Sequence, residues 1–451
     1  MTNSLNLREL ALEILLEVEK NGAYPNVLLK ETLDKFLYME KQERAFLTRL
    51  VEGSVERKLT LEYYINSVSK TPVNKMKPVI RCIMRMAAYQ IFFMDAVPDS
   101  AACNEAVKLA QKKGFHTLKG FVNGVLRNLS RQKDAITMPD EKKEPVKALS
   151  VKYSAPEWLV EKVIREYGAE NAKNMFESFY ENVGATSIRV NNSKISTEEC
   201  AKLLKKEGVH VEKAAYVENA LEISGYDSLQ FLESFQRGYF QVQDVSSMLV
   251  GLAAAPKSGD AVIDVCAAPG GKSIHVADLM NGTGHVEARD LTDYKVGLIE
   301  ENIVRCGFTN INAKKADALI LDESAYETAD VVIADLPCSG LGVLKKKSDI
   351  KYRMSQWQIE ELAELQRKIL TNAVTYVKKG GTLIYSTCTI AKEENDLQVD
   401  WILENLPLQL VSLADCVGEE ILKNTEREGV LQLLPGREKT DGFFLAKFRK
   451  I

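Results

Sequence analysis

Apolar residues recur at helical spacing along the first third of the chain. "LRELALEILLEVEK" sets Leu7, Leu10, Ala11, Ile14, Leu15 and Val18 on one face. "PVIRCIMRMAAYQIFFMD", "SAACNEAVKLAQKKG" and "FVNGVLRNLSRQ" continue the pattern, the second behind an Asp99/Ser100 cap signal. Residues 5 to about 130 therefore predict an all-α helical bundle. "RQKDAITMPDEKKEP" is polar, holds two prolines and reads as a linker. Between residues 146 and 237 the period is mixed. "APEWLVEKVIREYG", "AENAKNMFESFYEN" and "STEECAKLLKKEG" predict helices, while "ATSIRVNN" and "ALEISG" predict strands, which makes a small α+β module.

From about residue 258 short β-branched runs alternate with helical stretches. "DAVIDVCAAPGGKS", "GHVEARD", "INAKKAD", "ADVVIADLPCSG" and "GTLIYSTCTI" predict strands, with long helices through "TDYKVGLIEENIVRCG" and "SQWQIEELAELQRKILTNAVTYVKKG". Such alternation predicts an α/β, doubly wound, Rossmann-like sheet. The expected domains are 1–138, 146–237 and 238–451. Ligands of doubly wound sheets bind beyond the carboxyl ends of the strands. Chemistry is therefore expected at Cys266–Ser273, Asp290, Asp317, Asp335–Gly342 and Thr387–Ile390.

Composition changes this picture in three places. The net charge of −4 does not advertise nucleic acid, yet Arg57–Ser130 holds 12 Lys+Arg against 4 Asp+Glu. That stretch is a candidate phosphate-facing surface, with a solvated basic face as the bland alternative. Arg189 of "SIRVNN" joins the Arg57–Arg127 set as a candidate phosphate contact. The eight cysteines form no C-x-x-C, and the four histidines no H-E-x-x-H, so no metal site is expected. No apolar run of about 18 residues predicts a membrane span, and no signal-peptide core is evident, so a cytoplasmic protein with reduced thiols is expected.

"CAAPGGKS" joins a strand to a helix. Its glycines let the backbone approach a ligand, and a helix N-terminus favours an anion. A P-loop needs glycine where Cys266 stands, and G-x-G-x-x-G is absent. A nucleoside with a carboxylate-bearing tail, such as S-adenosylmethionine, remains. Asp290, 20 residues after Gly270, is placed for ribose hydroxyls, and Asp317 for an adenine amino group. The alternative for each is a cap.

Cys338 and Cys388 both fall just past strand ends. The other five cysteines outside the Gly-rich loop (Cys82, Cys103, Cys200, Cys306 and Cys416) read as inert small hydrophobes. A helix expected from about Lys392 would favour a thiolate at Cys388. Carbon 5 of a pyrimidine is a poor nucleophile until a thiolate adds to carbon 6, and an acid such as Asp335 steadies the adduct. Paired thiols therefore suit methylation of a ring carbon better than of an exocyclic amine. Spacing alone leaves open which thiol attacks.

"CAAPGGKS", "DLPCSGLG", "STCTI…EEN" and "DGFFLAKFRK", with "SIRVNN" and "GYFQVQDVSSML" upstream, resemble the Sun/NOL1/NOP2 family of RNA cytosine-5 methyltransferases. The helical region resembles a NusB-type RNA-binding domain, a combination found in family members that act on bacterial 16S rRNA. The resemblance implies Cys388 as nucleophile and Cys338 as the thiol that assists release. It implies S-adenosylmethionine contacts at Cys266, Ala267, Ala268, Pro269, Gly270, Gly271, Lys272, Asp290, Asp317 and Asp335, with Lys272 organising Asp335. The implied substrate is 16S rRNA, naked or in a partly assembled small subunit; a monomer is expected. Two other readings stand beside it: an RNA-binding assembly factor with a silent methyltransferase fold, and an amino-methyltransferase.

Overall fold

The computed structural model describes residues 5–36, 38–181 and 185–451. Residues 1–4 of the expected first domain, and Asn182 at the end of "AENAKNMFESFYEN", lie outside the described residues. Two compact units emerge: Met1–Phe176 with Lys346–Arg353, and Glu177–Lys345 with Met354–Ile451.

The first unit is built on helices α1 (Leu7–Asn21), α2 (Pro25–Lys35), α3 (Lys41–Glu56), α4 (Lys58–Val68), α5 (Pro78–Phe93), α6 (Asp99–Lys112), α7 (Lys119–Arg131), α8 (Pro145–Tyr153), α9 (Glu157–Tyr167) and α10 (Ala169–Ser178). α1 starts where Asn6 accepts the Glu9 N–H and stops at Gly22, whose φ of 65° suits glycine. Its apolar face buries Leu12 and Leu15 with Leu47, Leu50, Ile83 and Leu126. α6 begins one residue earlier than its cap signal suggests. Pro98 holds the cap position, and Asp99 instead accepts from Ser130 Oγ at 2.7 Å. The short helix Ile350–Arg353 also belongs to this unit, where Lys351 Nζ donates to Glu56 O (3.0 Å) and Tyr352 OH to the same carbonyl (2.9 Å).

Part of the basic excess vanishes on folding. Acids of α1, upstream of the basic stretch, pair with it: Glu19 with Arg81 and Arg85, Glu9 with Lys112 and Lys113, and Glu13 with Lys113. Lys70, Lys75, Lys77 and Lys119 stay exposed and make no ion pair among the described residues.

The second unit holds two sheets. The smaller is antiparallel, in the order β2-β3-β1-β4, with β1 (Thr186–Val190), β2 (His210–Lys213), β3 (Ala220–Ser224) and β4 (Phe240–Val242). The larger comprises β5 (Ala261–Asp264), β6 (His285–Asp290), β7 (Ile311–Lys315), β8 (Ala329–Asp335), β9 (Val377–Thr387), β10 (Leu408–Leu410), β11 (Val430–Leu433) and β12 (Phe443–Lys450). Its order is β10-β12-β9-β8-β5-β6-β7, with β11 also on β12. β5 to β9 are parallel, whereas β12 runs antiparallel to β9, β10 and β11, so the sheet is mixed. Parallel strands buried on both faces carry continuous apolar runs, as Val331–Ala334 does.

Arg189 is not a phosphate contact. It sits on β1, the strand between β3 and β4, and is 0% exposed. Its guanidinium donates to Asp278 Oδ2 (3.0 Å) and Gln243 Oε1 (3.0 Å). Among the described residues, no helix is long and apolar enough to cross a membrane, and no group of three His, Cys, Asp or Glu side chains could hold a metal ion.

Candidate active site

The parallel register brings the carboxyl ends of β5, β6, β8 and β9 to one rim. Asp335 ends β8 opposite Ser386 on β9. Ser386 Oγ donates to Asp335 Oδ1 (2.7 Å) and Lys272 Nζ to Oδ2 (2.6 Å), so both oxygens are held. Burial favours the neutral amine of Lys272, but the Asp335 charge and hydrogen bond outweigh it and its pKa is raised. The ammonium also lies 5.7 Å from the ring of Phe443, the first residue of β12.

The loop Cys266–Lys272 leaves β5 and enters the helix Gly271–Leu279. Gly270 takes φ +97°, a conformation a side chain would strain, immediately before the helix. Asp290, at the end of β6, is buried and tied to this loop. Its Oδ2 accepts the Ala268 N–H (3.0 Å), its Oδ1 the Leu291 N–H (2.7 Å), and Lys295 Nζ lies 3.0 Å away. Asp317 follows β7, half-buried, and accepts the Leu319 N–H at 2.9 Å. It closes a local turn rather than capping a helix, beside exposed Leu319, Ile320 and Leu321. Cys266 is half-buried, and desolvation pushes its thiol up, out of reach of ionisation.

Cys338 and Cys388 meet. Their Sγ atoms are 3.2 Å apart, although 50 residues separate them in the chain. The hydrogen bond with Cys388, then burial, holds the Cys338 thiol protonated well above its ordinary range. The loops bearing them are locked by a buried polar network. Glu394 accepts the Ser339 N–H at Oε1 (2.9 Å) and the Ser339 hydroxyl at Oε2 (2.5 Å). Ser339 Oγ also meets Thr389 Oγ1 at 2.6 Å. Gln366 Nε2 spans Pro337 O (2.9 Å) and Glu394 Oε1 (3.0 Å). On the far side Asn395 accepts from Thr387 Oγ1 (2.7 Å) and donates to Thr389 O (3.0 Å). The residues flanking both cysteines are thereby fixed. Burial lifts the Glu394 carboxyl to about 7.

A model described as 16S rRNA methyltransferase RsmB/F matches residues 251–449, a NusB family model matches 5–131, and an RsmF/B-like ferredoxin-like domain matches 155–229. The chain is 38% identical, over 99% of both proteins, to the probable ribosomal RNA small subunit methyltransferase B of Bacillus subtilis (strain 168). The chain belongs to the RsmB/F family of 16S rRNA methyltransferases. The corresponding protein of Synechocystis is 31% identical over 99% of this chain. Among solved structures, PH0851 superposes with a TM-score of 0.82 at 27% identity, covering 99% of each chain. NSun6 from Pyrococcus horikoshii, solved with SFG, matches at a TM-score of 0.59 and 26% identity, over 65% of this chain and 98% of its own. The expected resemblance and the three-part fold class, helical, α+β and α/β, are thus borne out.

Within this RsmB/F chain, sequence reasoning missed the groups that hold the thiols. Glu394 stands inside the quoted "EEN", but its partners Ser339, Gln366 and Tyr385 are 9 to 55 residues away. The helix expected from Lys392 is also displaced. Lys392–Glu394 forms one 3₁₀ turn, and the α-helix starts only at Asp396. Gly342 lies on the Cys338 loop, where a Cβ would come 2.0 Å from Gly442 O and 2.9 Å from Cys388 O. Only glycine allows that approach.

Proposed function

We propose that this methyltransferase modifies carbon 5 of a cytosine in 16S rRNA, through a thiolate adduct at carbon 6. The observation that carries the reading is the Sγ–Sγ distance of 3.2 Å at the ends of two neighbouring strands, beside an anchored Asp335. Cys388 is the nucleophile. Its neighbour Cys338, whose thiol stays protonated, lies 3.2 Å away, placed to assist. The S–C6 bond forms, electron density moves to carbon 5, and Asp335, held by Lys272 and Ser386, steadies the ring nitrogen side of the adduct. Once carbon 5 carries the methyl group, its proton passes to a base, the S–C6 bond breaks with Cys388 as the leaving sulfur, and Cys338 assists that elimination. Reaching a ring carbon requires an extruded base.

S-adenosylmethionine supplies the electrophilic methyl group. The residues present fit such a nucleoside. Gly270 and Gly271 admit close approach at a helix start, and Asp290, Asp317 and Asp335 stand at successive strand ends. Asp290 keeps acceptor capacity for a ribose hydroxyl beyond the two N–H groups and the Lys295 ammonium it already meets. Cys266, Ala267, Ala268, Pro269 and Lys272 complete the cradle. The NusB-like region and the 146–237 module hold the RNA, the working division being 1–138, 146–237 and 238–451. We take the enzyme to be a cytoplasmic monomer.

Locating the methyl group in 16S rRNA methylated by the purified enzyme tests this reading. Carbon 5 of cytosine is expected, and activity should vanish in Cys388→Ala. A methyl on an exocyclic nitrogen, with full activity in both cysteine variants, would assign an amino-methyltransferase instead.

A further inference from the structure

A cavity of 510 Å³ lies inside the first unit, between α1, α3, α4, α5 and the segment Asp349–Arg353. Its charged lining is mostly paired. Glu19 bonds Arg81 and Arg85, Glu62 bonds the second amino group of Arg85, and Asp349 bonds Arg353. Three donors are left over. Lys58 Nζ makes no hydrogen bond or ion pair among the described residues, and its one contact of note is the Tyr352 ring at 5.2 Å. Ser54 is 3% exposed and Arg85 8% exposed, yet Ser54 Oγ and Arg85 Nε have no partner. A buried donor without an acceptor is costly, and two of them, with the half-buried Lys58 ammonium, line one cavity. Burial, then the nearby Arg85, pulls the Lys58 ammonium below its usual range despite the opposing charges of Glu62 and Glu19, so a further anion here would relieve it.

We propose that this cavity binds a phosphate-bearing anion, its oxygens taken by Lys58, Ser54 and Arg85. Spare ammonium, hydroxyl and guanidinium donors offer hydrogen and positive charge; Glu19 and Glu62 are taken by arginines, while Asp349 Oδ2, beside Arg353, accepts no hydrogen bond. The volume is that of a small-molecule site and accommodates a mononucleotide. The phosphate comes either from a free nucleotide or from an RNA backbone. Neither source depends on the carbon-5 reading of the sheet rim.

Calorimetry on the full chain at low ionic strength, with inorganic phosphate, 5′-AMP and a short RNA oligonucleotide, tests the site. At least one of the three should bind. Lys58→Gln should weaken that binding ~10-fold or more, and Ser54→Ala by a few-fold. Without anion, Lys58→Gln should melt at or above the wild-type temperature, because a half-buried cation that makes no ion pair has gone. If 5′-AMP binds and RNA does not displace it, the source is a free nucleotide. If RNA displaces it, and Lys58→Gln weakens RNA equally, the source is the backbone. No binding of any probe at 10 mM (about the upper limit of a specific site), or binding undiminished in both variants, overturns the proposal.

Discussion

The sheet rim and the cavity of the helical unit both bury charge, but they settle it in opposite ways. At the rim almost every polar group has its partner. Asp335 is held at both oxygens, Glu394 at both, and Asp290 by two N–H groups. The groups left to react are two sulfurs in mutual contact. In the helical cavity Glu19 and Glu62 are taken by arginines, one oxygen of Asp349 accepts no hydrogen bond, and the larger surplus is in donors. A fully satisfied network fixes geometry to the fraction of an ångström that covalent chemistry needs. Surplus donors fix nothing and wait for an acceptor. The first arrangement suits a reaction and the second suits binding.

Four substitutions sharpen or break this contrast, from the largest effect down. Cys388→Ala should lower methyl transfer by about 10⁴-fold or more, while melting stays near wild type, because a nucleophile is removed and no packing. Arg189→Met should destabilise the second unit by about 3–5 kcal/mol in denaturant unfolding, since Asp278 is left as a buried unpaired charge. Its RNA affinity should be unchanged where it is folded, as befits an internal clamp. Gly342→Ala should lower activity ~10–100-fold by forcing the Cys338 loop off Gly442 O and Cys388 O.

The smallest effect concerns Glu394. Burial raises its carboxyl from 4.5 to about 7. Between those values the folded protein keeps a proton that the unfolded chain has lost. Its contribution to stability is therefore present below about 4.5 and lost as pH rises towards 7. Glu394→Gln removes that slope. It should gain roughly 2 kcal/mol on wild type between pH 5 and 8. A gap independent of pH would mean that the carboxylate is not the group that titrates.

Legibility differed in the same two places. The parallel strands were legible because Val331–Ala334 and Val262 with Ile263 are buried and form apolar runs. The rim groups followed from those strand ends. β12 was not recognised as a strand, because Lys447 and Lys450 interrupt its apolar pattern. Yet Lys450 is buried by donating to Val377 O (2.8 Å) and Lys447 by a contact with Cys416 Sγ (3.0 Å). Arg189 misled for the converse reason. On a central strand both faces are covered, and its partner Asp278 is 89 residues away. Local pattern locates strand ends; it does not say which distant acid will meet a buried base. The basic stretch Arg57–Ser130 likewise lost much of its surplus to Glu9, Glu13 and Glu19, acids outside its window.

The central claim is that Cys388 is the attacking sulfur and Cys338 its assistant. Incubating wild type, Cys388→Ala and Cys338→Ala with RNA carrying 5-fluorocytidine, then mapping the cross-linked peptide by mass spectrometry, tests it most directly. The account predicts an adduct on Cys388 in wild type and none in Cys388→Ala. In Cys338→Ala it predicts an adduct that persists even on ordinary RNA. A cross-link on Cys338, or an undiminished adduct in Cys388→Ala, would contradict it.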